Sequence, residues 1–373
     1  MGKRVCIIRS NPVSPDSRVE KEAWTLTKAG YSVHILAWDR DEDHNEKESF
    51  ITVAEEKIPI TRLGYKATYG DGFKNLRPNL KFQFHMRRWL KKHRDEFDFI
   101  HACDLDTALF SKSATKAKFI FDIFDFRYGE PQSFVQKMIN KAQIRLINQA
   151  DATIICTEER KKQIRNAHPK RLAIIHNTPI KTLLHENTGL FFQSSSEKVK
   201  IAYVGILANQ RLLLEIGDAV THNSNVELHI AGFGVYAEHF EKLARDYENI
   251  FYYGRIPYDQ TLALESQCDI MTAIYDPNIE NNRFAAPNKF YESLMLGKPV
   301  LMVRGTGMSG IVEAKDIGEL IEFSENGFID GIERLISRRD EWKAMSEKMK
   351  KLYESDFSWE KMQDRLIVLY SKL

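Results

Sequence analysis

Cysteine is scarce in this chain of 373 residues: there are four. Cys6, Cys103, Cys156 and Cys268 stand far apart, in or beside apolar strand-like runs. That spacing supports neither a disulfide framework nor a zinc site and fits buried thiols in a reducing compartment. Long apolar runs are missing as well. No stretch approaches the length of a membrane span. The apolar run after Met1-Gly2-Lys3-Arg4 is only Val5-Cys6-Ile7-Ile8, too short for the core of a secretion signal. The expectation is a cytoplasmic chain. A net charge of +2 gives no general drive toward nucleic acid, and no repeat or low-complexity tract appears. What remains is ordinary globular composition, 43% hydrophobic and 28% charged, in a chain too long for one core and suited to two α/β domains.

Short apolar strands alternate with longer amphipathic segments. Strands are predicted at 5–8, 32–37, 97–102, 118–122, 152–156 and 172–176, with a helix over 17–29 that Gly30 closes. A polar stretch at 181–198 reads as a linker. The alternation then restarts, with strands at 200–204, 226–231, 250–253, 270–274 and 300–303. Such alternation implies βαβ units and parallel sheets. The domain reading is 1–180, linker 181–198, and 199–357, with an amphipathic C-terminal helix over 358–373 completing the first domain. Two doubly wound, Rossmann-like domains leave a central cleft faced by strand carboxyl ends, where ligands of such sheets bind.

The most informative unit is the segment 286–301. Pro287 suits the first turn of a helix, Gly297 and Pro299 end it, and an apolar strand follows at once. Lys289 and Glu292 are three apart and share a side near the helix start. Unpaired amides there, with an ammonium beside them, make a site for a diphosphate, and Glu292 can accept hydrogen bonds from sugar hydroxyls. The plain alternative is a core helix with a surface Lys–Glu pair. Elsewhere in this half, the strand over 200–205 runs through Gly205 toward Arg211, whose fork suits two phosphate oxygens. Gly232 and Gly234 open another helix, and Gly305-Thr306-Gly307 follows a strand and could form an anion nest.

In order and spacing these pieces, with Gly254-Arg255-Ile256-Pro257, resemble a family 4 glycosyltransferase of the two-domain GT-B fold. The first half agrees through 14–22, 98–107, 148–157 and 175–179, and Phe357-Ser358-Trp359 resembles the start of the family's C-terminal helix. The resemblance implies transfer of a sugar from a nucleotide-diphosphate donor, with retained configuration, no cofactor and no essential metal. It assigns Gly205, Gly232, Pro287, Asn288, Lys289, Phe290 and Glu292 to donor binding. Lys289, Arg211 and Glu292 take the catalytic roles, with Lys289, Arg211 and the helix N-terminus stabilising charge on the departing diphosphate. Acceptor contacts fall to Asp16, Arg18, His101, Asp104, Asp106 and Asp125, and to the loop 64–73 with Tyr65, Tyr69 and Phe73. The expected acceptor is a glycan or lipid-linked glycan in surface polysaccharide synthesis.

The chain departs from the family pattern in four places. Phe284 stands where a glutamate is usual, Ile206 where a base follows the strand glycine, and Cys103 where a second histidine would be. Phe124 is flanked by Asp122 and Asp125 where many members have histidine. These departures motivate an alternative, a non-catalytic homologue that binds nucleotide sugar or glycan as a partner subunit. A nucleotide-sugar epimerase, which shares the architecture, is a third reading. Asp104-Leu105-Asp106 and Asp39-Arg40-Asp41 raise a metal-dependent rival that the two-domain pattern argues against.

Finally, residues 73–94 contain Lys74, Arg77, Lys81, Arg87, Arg88, Lys91, Lys92 and Arg94 and no acidic residue, interleaved with Phe82, Phe84, Met86, Trp89 and Leu90. A basic amphipathic helix of this kind suits an anionic membrane surface. The alternative is a solvated basic face whose apolar side packs into the first domain.

Overall fold

The computed structural model describes residues 2–68, 75–181, 188–194 and 197–373. Tyr69, Phe73, Lys74 and much of the 181–198 linker lie outside the described residues. The chain divides into two compact units, Met1–His176 with Met362–Leu373, and Asn177–Lys361.

The first unit is built on eight strands: β1 (Arg4–Arg9), β2 (Ser32–Asp39), β3 (His44–Val53), β4 (Glu56–Gly64), β5 (Phe99–Cys103), β6 (Lys118–Ile123), β7 (Ala152–Ile155) and β8 (Leu172–Ile174). Their order is β3-β4-β2-β1-β5-β6-β7-β8, parallel except for the β3–β4 pairing. The sequence reading missed the β3–β4 hairpin because β3, His-Asn-Glu-Lys-Glu-Ser-Phe-Ile-Thr-Val, is a charged, mostly exposed edge strand. The connections β4 to β5, β5 to β6 and β6 to β7 all move the same way across the sheet. Right-handed crossovers therefore put the helices Leu76–Lys92, Asp104–Ser111 and Phe134–Gln149 on one face. Phe82, Met86, Trp89, Leu146 and Ile147 pack there on Cys6, Ile8, Leu36, Ile100 and Phe121. The step from β1 to β2 runs the other way, so Ser17–Lys28 covers the opposite face, where Tyr370 of the helix Trp359–Ser371 meets Tyr31, Phe99 and His101.

The second unit has six parallel strands: β9 (Val199–Leu207), β10 (Val226–Gly234), β11 (Ile250–Tyr252), β12 (Ile270–Ala273), β13 (Val300–Val303) and β14 (Gly318–Ile321), ordered β11-β10-β9-β12-β13-β14. One cluster, with Tyr203, Leu207, Leu213, Ile230 and Phe328, fills one side of the sheet. The other, with Phe290, Tyr291, Leu294, Met302 and Tyr353, sits under the helix Asn288–Leu296. That helix starts after Pro287 and ends at Gly297, whose φ of 69° only glycine adopts freely. Segment 188–194 carries no regular structure; Phe192 stacks on His229 at 4.6 Å between ring centroids. No helix among the described residues is long and apolar enough to cross a membrane.

Candidate functional site

At the carboxyl ends of β9 and β10, Gly205 and Gly232 are register partners with φ of 148° and 149°. A Cβ on Gly232 would lie 1.8 Å from the Gly205 carbonyl oxygen, so a side chain is excluded there. A Cβ on Gly205 would instead meet the Lys289 ammonium at 2.8 Å. The lysine thus reaches from the first turn of Asn288–Leu296 to the end of β9, and its charge rests where Ile206 leaves the family's usual base missing. The ammonium also stands 4.9 Å from the centre of the Tyr203 ring.

Arg211 joins the same group. Its guanidinium lies 3.9 Å from the centre of the Tyr275 ring, and it interacts with the Tyr203 hydroxyl, which donates to the Ile206 carbonyl at 2.8 Å. Lys289 and Arg211 are therefore brought to one place around Tyr203, on the strand two residues before Gly205. Burial works against the charge on Lys289, but Tyr275, Tyr203, Glu292 and Glu265 outweigh it and raise its pKa. The group is a fixed cation.

Two donor-site expectations change. Glu292 is 3% exposed and accepts a hydrogen bond from the Tyr258 hydroxyl at 2.9 Å. It is a buried counter-charge to Lys289, not a surface carboxylate presented to sugar hydroxyls. Phe290 is wholly buried in the core and its amide donates to the Pro287 carbonyl at 3.0 Å, so it offers a ligand nothing. Asn288 stays exposed, and its side-chain oxygen accepts from Asn177 at 2.8 Å. The loop Gly305-Thr306-Gly307 is not an anion nest. The amides of Thr306 and Gly307 donate to the Val303 and Asn282 carbonyls, and Gly307 packs on Ala285.

In the first unit the carboxyl ends of β1, β5 and β6 gather Arg9, Asp16, Asp104 and Phe124. Arg9 pairs with Asp16 at 2.8 Å and with Asp104 at 2.5 Å, and lies 4.2 Å from the centre of the Phe124 ring. Asp104, at φ 67°, also accepts from the amides of Phe124 and Asp125 at 3.0 and 3.1 Å. Its oxygens are thus committed to donors, which suits a metal poorly. Asp106 accepts from the Thr107 amide at 3.0 Å, and exposed Asp125 pairs with Arg160 at 3.2 Å. Sequence reasoning missed Arg9, although a charge directly ending the first apolar strand was a signal for it.

Arg18 and His101 are not where an acceptor contact requires. Arg18 is 3% exposed and binds both oxygens of Asp122, at 2.7 and 3.2 Å, and the Ile175 carbonyl. His101 is fully buried, with Nδ1 2.8 Å from the Tyr370 hydroxyl and Nε2 3.4 Å from Asp122. Both belong to an interior polar cluster with Glu22. Burial and Asp122 push the Glu22 carboxyl up; burial would do the same to Asp122, but Arg18 holds its pKa low, so Asp122 is the ionised member. His101, Cys103 and Asp122 offer ligand atoms within 4.8 Å of one another. A metal there would meet a guanidinium already seated on Asp122 and a thiol whose pKa burial raises, so the donor set does not fit one.

Residues 18–178 match the family model described as Glycosyltransferase Family 4, and residues 190–352 the one described as Glycosyl transferases group 1. No curated protein is significantly similar in sequence. Among solved structures, sucrose-phosphate synthase from Thermosynechococcus elongatus aligns with a TM-score of 0.77 at 14% identity, over 99% of this chain and 98% of that one. Anabaena HepE in complex with UDP aligns at 0.69 and 13% identity, over 100% of both chains. A trehalose-6-phosphate structure from E. coli bound with UDP-2-fluoro glucose aligns at 0.71 and 9% identity, over 100% and 99%. The likeness is one of fold: two Rossmann-like domains of the GT-B type.

Proposed function

The chain belongs to a glycosyltransferase family of the family 4 type, and from that premise we propose that it moves a sugar from a nucleotide-diphosphate donor to a glycan or lipid-linked acceptor. The transfer retains anomeric configuration, needs no metal, and serves surface polysaccharide synthesis in the cytoplasm. UDP and a UDP-sugar in the structures of HepE and the E. coli protein support a donor of this class.

The observation that carries the reading is the Lys289 ammonium seated over Gly205, with Arg211 sharing Tyr203. As the bond between sugar and diphosphate breaks, negative charge grows on the leaving oxygens. Two fixed cations and the amides opening Asn288–Leu296 are aimed at such charge and need no reorganisation when it forms. Gly205 and Gly232 let a phosphate approach the backbone closely. Gly205, Gly232, Pro287, Asn288 and Lys289 form the donor site, and Lys289 and Arg211 act in catalysis, with Glu292 supporting Lys289 from below. In the first domain Arg9, Asp16 and Asp104 form an ion-paired group beside which the carboxylates of Asp106 and exposed Asp125 suit the hydroxyls of a sugar acceptor.

The test is release of nucleoside diphosphate from UDP-, GDP- and ADP-sugars by the full chain, with and without EDTA. Slow release from one donor class, unchanged by EDTA, is expected. Loss of release in EDTA refutes metal independence. Tight donor binding with no release under any condition establishes the non-catalytic partner instead.

A further inference from the structure

The outer surface of the helix layer on the first sheet is unusual in two respects at once. Leu76–Lys92 buries Phe82, Met86, Trp89 and Leu90 on one side. The other side presents Arg77, Lys81, Arg87, Arg88, Lys91 and Lys92, with no acidic residue in the helix. Along that same side, at four-residue spacing, run Leu76, Leu80 and Phe84, which are 59%, 38% and 57% exposed. The helix therefore has an inward apolar side and a second apolar row that stays largely exposed among the described residues.

The helix Phe134–Gln149 repeats the pattern. It too lacks any acidic residue, carries Lys137, Lys141 and Arg145, and exposes Phe134, Val135 and Met138 around its first turn. Asp104–Ser111 lies between the two and touches both; its Leu109 is exposed, and its Phe110 meets Phe84 edge-on at 5.6 Å. Crossover handedness puts all three helices in one layer, so the exposed apolar residues share a surface.

An isolated exposed leucine needs no explanation, but apolar rows on adjoining helices do. Nucleic acid would reward the cations and leave those rows wet. Interleaved cations and apolar side chains at helical spacing match an anionic phospholipid surface, where the rows sink to the acyl boundary and the long cationic stems reach back to the headgroups. We propose that this helix layer is a membrane-docking surface, with Phe134–Gln149 a second point of insertion beside Leu76–Lys92. The purpose of docking rests on the lipid-linked acceptor proposed above, whereas the test does not.

The full chain is co-sedimented with phosphatidylcholine vesicles with or without about 30% phosphatidylglycerol, and binding of UDP-, GDP- and ADP-sugars is followed on the same preparations. Binding to the anionic vesicles alone, weakened by salt, is expected. Arg87→Glu with Lys91→Glu, Leu80→Ser with Phe84→Ser, and Val135→Ser with Met138→Ser should each lower it about tenfold, leaving donor binding and melting temperature unchanged. No binding of the unmodified chain to anionic vesicles overturns the proposal, as does binding to duplex DNA in preference to vesicles. Full binding by the Val135/Met138 variant overturns the second insertion point. Failure to bind UDP-, GDP- and ADP-sugars alike, with vesicle binding intact, would strike the transferase reading and leave this one standing.

Discussion

Lys289 holds its charge where burial alone would discourage it, because Tyr275, Tyr203, Glu292 and, least, Glu265 together raise its pKa. Lys289→Ala and Arg211→Ala should each weaken donor binding by about tenfold or more, the usual scale for a charge-assisted contact to phosphate; calorimetric titration checks this. Glu292→Gln removes the counter-charge but can keep the bond to Tyr258. Because Glu292 acts through Lys289, this variant should weaken inorganic pyrophosphate and nucleotide sugar alike. A loss confined to the nucleotide sugar would restore a direct contact between Glu292 and the donor. Gly205→Ala puts a methyl group 2.8 Å from the ammonium in a backbone conformation that alanine avoids. It should reduce donor affinity more than it reduces melting temperature.

The elements differ in how far sequence betrays them. β1, β2, β6, β9, β10 and β13 are apolar, buried and flanked by turn signals, and their positions follow from periodicity alone. β3 is exposed and charged, and β14, Gly-Glu-Leu-Ile, is short; neither writes a pattern that can be read. The helix Asn288–Leu296 was legible from its proline and glycine, yet which of its residues face a ligand was not. Glu292 and Lys289 are neighbours on the helix, but only packing against Tyr258 and β9 decides that one is buried and the other reaches Gly205. Arg18 and His101 failed for the same reason: a polar residue in a motif can sit in the interior when partners from distant elements meet it. That interior is testable. Asp122→Ala leaves the Arg18 charge buried, and should cost roughly 3 kcal/mol in urea unfolding. The loss sits at the lower end of the range because Glu22, 3.2 Å from Arg18, ionises in its place.

At the scale of the molecule, each domain has its own acid sensitivity. Burial lowers the His229 pKa from 6.5 to about 4, and the His176 pKa to about 3, with help from Arg365 and Arg18. Both imidazoles are neutral when folded and take up protons more readily when unfolded. The stability they contribute is complete above pH ~6.5 and drains away as pH falls toward those values. Urea titrations between pH 7 and pH 4 should show a decline that His229→Gln flattens in the second domain's transition and leaves intact in the first. The function proposed here divides along the same line, with cations for a diphosphate in one domain and carboxylates for hydroxyls in the other.

The most direct measurement is isothermal titration of the unmodified chain, Lys289→Ala and Arg211→Ala with the nucleotide sugar that stabilises the chain most. The account predicts saturable one-to-one binding that inorganic pyrophosphate displaces and that each substitution weakens by about tenfold or more. Undiminished affinity in both variants would contradict it.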